Sequence, residues 1–254
     1  VASSAPHDPV TSPEYLRYTE ARLLLENDLE RNHLLRARCL QAYEKILDDL
    51  IDADPLLRDV FRSPESTSRY GLVFTRAVWG LFEGGSASTL PLNTYTVFAD
   101  RSRMPFVINV SPAAFTSLAF LRSILLHEVN HVLLYKESRF AELERPSSFR
   151  ESHPTQPIPG WYSLRFNLQY ARTPAFQYHL LHEYYSFTAQ RLYDDAAPQT
   201  PYHRLSPSDR AYIDQLYVWA ARELSEESQA LVRRHPDPPL AAYIRRFYPS
   251  PPHE

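Results

Sequence analysis

The sequence predicts a mostly helical α+β fold, with a small antiparallel sheet just ahead of a central helix. Two observations carry this. Apolar residues recur at three- and four-residue steps over long stretches near both ends. Between positions 70 and 110, by contrast, short β-branched and aromatic runs are bounded by turn residues.

Taken in order, residues 13 to about 54 read as one long helix, with Leu25, Leu29, Leu35, Cys39, Ala42, Ile46 and Leu50 on its repeating face. Pro55 and Pro64 bracket a short helical piece over 56–61. Residues 70–82 are aromatic and β-branched, and Gly84-Gly85 marks a turn. Thr94-Tyr95-Thr96-Val97-Phe98 and Pro105-Phe106-Val107-Ile108-Asn109-Val110 then read as two strands joined by a polar turn over 100–103.

Ser111-Pro112 has the form of an N-cap followed by proline at the first helical position. A helix is expected from there, broken near Thr116, through Leu133 and towards Glu144. Residues 146–160 are a proline-rich loop, and 161–172 an aromatic stretch of ambiguous type. Residues 174–193 form a helix carrying Leu180, Leu181, Tyr184, Phe187 and Leu192. After a loop over 196–207, one long helix spans 208 to about 234, ahead of a proline-rich tail.

At 254 residues the chain can bury a substantial core. Its formal charge of −3 gives no electrostatic case for nucleic acid or an anionic membrane as partner. Cys39 is the single cysteine, which excludes an internal disulfide and a cysteine-built zinc site. No apolar run approaches the ~20 residues of a membrane span. Residues 1–12, rich in Ser, Ala and Pro, read as a disordered leader. The Val1 start fits removal of a signal peptide, with a secreted or periplasmic product, and fits a trimmed chain equally. Compartment and oligomeric state stay open.

The chemistry concentrates in His127-Glu128-Val129-Asn130-His131. Histidines four apart on a helix project from one face, within reach of one ion. Glu128 can touch a metal-bound water without ligating the metal, so this spacing serves zinc-dependent hydrolysis with Glu128 as general base. Leu121, Leu125, Val129 and Val132 supply an apolar stripe that would bury the back of the helix. A His-Glu-x-x-His string arises by chance in roughly 3% of sequences of this composition, and less often in an apolar helical setting.

A catalytic zinc needs a third protein ligand. Glu183, in the run His179-Leu180-Leu181-His182-Glu183-Tyr184-Tyr185-Ser186, can reach the ion from a second helix. His179, His182 and His203 are the alternatives, and His179 also suits a role beside the ligands or against substrate.

With Glu183 in place, His127, Glu128 and His131 resemble the gluzincin branch of the zincin metallopeptidases over about residues 94–189. The resemblance implies one zinc per chain on His127, His131 and Glu183, a peptide or protein substrate, and a single zincin-like domain over 13–249 ahead of a short tail at 250–254. The strand 106–110 resembles the edge strand with which zincins hold an extended substrate. The resemblance also implies a donor for the reaction's oxyanion, for which Tyr185, Tyr193 and His203 are candidates. Two features depart from the family. The gap of 52 positions between His131 and Glu183 is long, and Phe187 stands where many relatives place an Asp that orients a ligand histidine.

Two rival readings use the same residues. A di-iron carboxylate bundle would pair Glu128 and His131 with Glu30 and His33, but it leaves His127 and the strands without a role. A non-catalytic zincin-like binding module would have no need of Glu128. The loop over 146–160 lies between the ligand-bearing helices and is expected to border the cleft.

Overall fold

A computed structural model of the chain describes residues 33–66, 73–77, 87–91, 106–136, 174–198, 200 and 203–249. Helix α1, His33–Ala53, buries Cys39, Tyr43, Ile46, Leu47, Leu50 and Ile51 at the expected three- and four-residue steps. Pro55 denies its predecessor a helical conformation, so Asp54 turns to extended backbone and α1 stops. Asp54 Oδ1 then accepts from the backbone N–H groups of Leu56 and Leu57 at 2.9 and 3.0 Å. This caps helix α2, Pro55–Arg62, which buries Leu56, Leu57, Val60 and Phe61.

Strands β1 (Val73–Ala77), β2 (Ala87–Pro91) and β3 (Phe106–Val110) form one sheet in the order β1-β3-β2. β2 runs antiparallel to β3, pairing Ala87 with Val110 and Pro91 with Phe106. β1 runs parallel to β3, pairing Val73 with Phe106 and Ala77 with Val110. The sheet is therefore mixed, where the sequence reading has it antiparallel. β3 also lies at its centre and not at its edge. All five of its residues are buried and both of its ladders are occupied, so it cannot receive an extended peptide. The strand expected at 94–98 lies outside the described residues.

A 3-10 turn at Pro112–Ala114 leads into helix α3, Leu118–Lys136. Ser111 makes no side-chain cap there. The cap comes from Ser117, whose Oγ accepts from Phe120 N at 3.0 Å, and the break expected near Thr116 falls between the two segments. α3 is apolar nearly all round and is buried from both sides. Leu121, Leu125, Leu126, Val129, Val132 and Leu133 join the core formed with α1, α2 and the sheet. Phe120 and Leu134 join a second core against the C-terminal helices.

Helix α4, Pro174–Ala196, packs along α3 in the opposite direction, since His182 meets His131 at one end while Gln190 meets Ser123 at the other. The single helix expected over 208–234 is two: α5, Pro207–Glu223, and α6, Glu226–Arg234. Ser225 caps α6, and Gln177 of α4 bridges the break by donating to Glu223 O and accepting from Ser225 N. The proline-rich tail contains a further short helix, α7, Ala241–Phe247.

The C-terminal segment is tied back to the front of the chain. Asp54 Oδ2 accepts from the hydroxyls of Tyr193 and Tyr248 at 3.0 and 2.9 Å and faces Arg122 Nε at 3.7 Å. Burial and the Asp54 charge push both tyrosines above their ordinary range, which keeps the two hydroxyls protonated as donors.

Candidate metal centre

α3 presents His127 and His131 one turn apart, with ring centroids 4.7 Å from each other. Across the helix pair, α4 brings Glu183 Oε2 to 3.2 Å from His127 Nε2 and Oε1 to 3.6 Å from His131 Nε2. Ligand atoms of the three residues all lie within 4.8 Å of one another. Two donors about 2.1 Å from one ion at the tetrahedral angle stand about 3.4 Å apart, so both His–Glu separations suit a shared ion. Two imidazoles and a carboxylate are a donor set for a borderline divalent metal. His127, His131 and Glu183 thus form a group that could hold a metal ion.

Hydrogen bonds fix which ring nitrogen faces the group. Gln190 Nε2 donates to Ser123 Oγ at 2.9 Å, which turns Gln190 Oε1 to within 2.8 Å of His127 Nδ1. His127 therefore carries its proton on Nδ1 and keeps Nε2 towards Glu183. His131 Nδ1 lies 3.4 Å from Nδ1 of His182, and the two rings stack with an interplanar angle of 11°. Tyr135 and Tyr178 pack against His182 and hold its ring in place.

Burial works to raise the Glu183 carboxyl, but the His127 hydrogen bond and the charges of His127, His131 and His179 outweigh it. Glu183 is held well below the ordinary carboxylate range and stays ionised. Burial, joined by the charges of His127, His182 and His179, drops His131 well below its usual value despite Glu183. His182 falls to about 3 from burial and from His179. His127 goes the other way. Burial pulls it down, yet Glu183, Glu128 and the Gln190 hydrogen bond raise it.

The other residues singled out from the sequence are placed as follows. Glu128 is buried on α3, close enough to His127 for its charge to act there. His179 sits one turn before Glu183 with Nε2 3.6 Å from Oε1, and its side chain is 30% exposed. His182 backs His131 and is not among the three ligand-forming residues.

The expected oxyanion donors are engaged elsewhere. Tyr185 OH donates to His235 O at 2.6 Å, Tyr193 OH donates to Asp54, and His203 bonds Thr200 in the field of Arg122 and Asp54. Phe187 supplies no charge. Its ring packs on His127 with centroids 4.8 Å apart. Glu30, the His33 side chain and the loop over 146–160 lie outside the described residues.

Sequence reasoning missed Gln190 and Asn130. Gln190 lies two turns after Glu183, on the same helix face, and that seven-residue step was the available signal. Asn130, between the two histidines and fully buried, donates Nδ2 to Ser186 Oγ and accepts at Oδ1 from Leu240 N, both at 3.2 Å. One carboxamide thereby ties α3, α4 and the entry to α7 together.

What fold and site define at this level is a mostly helical protein with a largely buried His-His-Glu group able to hold a metal ion. No protein-family model, curated protein or solved structure matches the chain. Among the described residues, no helix is long and apolar enough to cross a membrane.

Proposed function

We propose that the chain is a zinc-dependent hydrolase, a gluzincin-like peptidase that binds one zinc per chain on His127, His131 and Glu183. The observation that carries this reading is the convergence of the three ligand atoms to within 4.8 Å, with Glu128 beside the first histidine on the same helix. Bound zinc would supply an acidified water and polarise the substrate carbonyl. Glu128 accepts the proton of the attacking water on its carboxylate and returns it to the leaving amine. His179, partly exposed and one turn from Glu183, is the donor assigned in this reading to the developing oxyanion. β2 is the sheet edge that suits an extended peptide. It packs against α3, and among the described residues only one of its sides is paired.

Metal analysis of the purified chain tests the first step. About one zinc per chain is expected, two irons would favour the di-iron bundle, and no metal would favour a scaffold. Glu128→Gln tests the second. Hydrolysis of a peptide library should fall by about 10²-fold or more while zinc stays bound. Hydrolysis unchanged in this variant would remove Glu128 as the base. A parent chain that holds zinc and cleaves no peptide would mark a binding module.

A further inference from the structure

Both ligand histidines are backed on Nδ1 by groups that are not carboxylates. His127 meets the Gln190 carboxamide oxygen at 2.8 Å, and His131 meets the His182 ring at 3.4 Å. Gln190 is 1% exposed and His182 is 4% exposed, so each contact lies in the interior where a misdirected polar atom is costly. Gln190 is itself locked, because its Nε2 donates to Ser123 Oγ on the preceding turns of α3. The position where the resemblance implies an orienting carboxylate is held by Phe187, whose ring meets that of His127 at a tilt of 57° and accepts no proton.

From this we infer that Gln190 and His182 are the positioning residues of the metal centre, and that they orient its histidines without adding negative charge. The inference rests on the reading of His127, His131 and Glu183 as metal ligands. Glu183 is then the ligand that brings charge to the set, and the Gln190 amide does the work a carboxylate does in other histidine-metal pairs. An amide accepts from Nδ1–H more weakly than a carboxylate does, so His127 is oriented while its Nε2 gains less basicity.

Zinc affinity of the full chain, read by competition against a chromophoric chelator, tests this without relying on activity. Gln190→Met keeps the volume, removes the acceptor for Nδ1 and should weaken zinc binding about 10–100-fold. Gln190→Glu restores an acceptor, and Ser123 can turn its hydroxyl to donate to the new carboxylate. This variant should recover the lost affinity and bind at least as tightly as the parent. Gln190→Met binding within about threefold of the parent, or Gln190→Glu binding no tighter than Gln190→Met, overturns the inference.

Should Gln190→Met lose the helical circular dichroism of the metal-free chain, His182→Phe decides instead. It keeps a ring against His131 and removes Nδ1, with the same expected loss and the same overturning result. A parent chain that binds no zinc overturns the metal reading itself, and this inference with it.

Discussion

His203 shows how burial sets the behaviour of one residue. Burial, with Arg122 nearby, lowers its imidazole to about 4, and Asp54 only partly opposes this. A histidine lowered in the folded state binds fewer protons there than in the unfolded chain, whose histidines titrate near 6.5. Stability contributed by the neutral ring is therefore present above about 6.5 and drains away as the pH falls towards 4. His203→Gln should flatten that part of the profile. In urea unfolding of the metal-free chain, the variant should lose less stability between pH 7.5 and 4.5 than the parent; an equal loss would refute the assignment.

At the same scale, the motif made His127, Glu128 and His131 legible, because their chemistry depends on local spacing alone. Glu183 could be chosen because few carboxylates fall on an apolar helix downstream. Gln190 was passed over: its seven-residue step from Glu183 puts it on the right face, but an amide becomes an orienting group only through a partner, here 63 positions away.

Among the elements, α3 matters most, because both histidines and Glu128 ride on it. Its first turn depends on Ser117, whose hydroxyl answers the Phe120 N–H. Ser117→Ala should cost about 1 kcal/mol in urea unfolding. A cost near zero would mean that the 3-10 turn before α3 already satisfies this end.

Within the described residues, α1 and α4 were readable from periodicity, α2 from the prolines that bracket it and α3 from its apolar stripe. The sheet was less so. Which strand pairs with β3, and in which direction, is decided by residues 15 to 37 positions away and leaves no mark within β3 itself. The break between α5 and α6 was hidden for a different reason. The apolar rhythm runs on through Leu224, and only Ser225, followed by Glu226 and Glu227, signals a new start.

For the whole molecule, the candidate metal site joins two helices that belong to two apolar cores. An ion held by α3 and α4 together binds the folded chain and not the unfolded one. Zinc at about 100 times its dissociation constant should then add about 2.7 kcal/mol to stability. Differential scanning calorimetry should show the melting temperature rising with zinc and returning with a chelator. A melting temperature indifferent to both would count against the site. The stripe of Leu121, Leu125, Val129 and Val132 made the buried back of α3 legible, but not that Phe120 and Leu134 would join a second core on another side. The return of Tyr248 to Asp54 was not legible, because a tyrosine hydroxyl gives no hint of an acceptor 194 positions away.

That return has a consequence for the order in which the molecule can be completed during synthesis. The Asp54 carboxylate waits for Tyr248, 194 positions later. While the ribosome is still adding residues, α1 and α2 can coil and collapse, but Asp54 Oδ2 at their junction lacks its second hydroxyl donor until residue 248 has emerged. The junction of α1 and α2 is thus made well before the last of its hydrogen bonds can close.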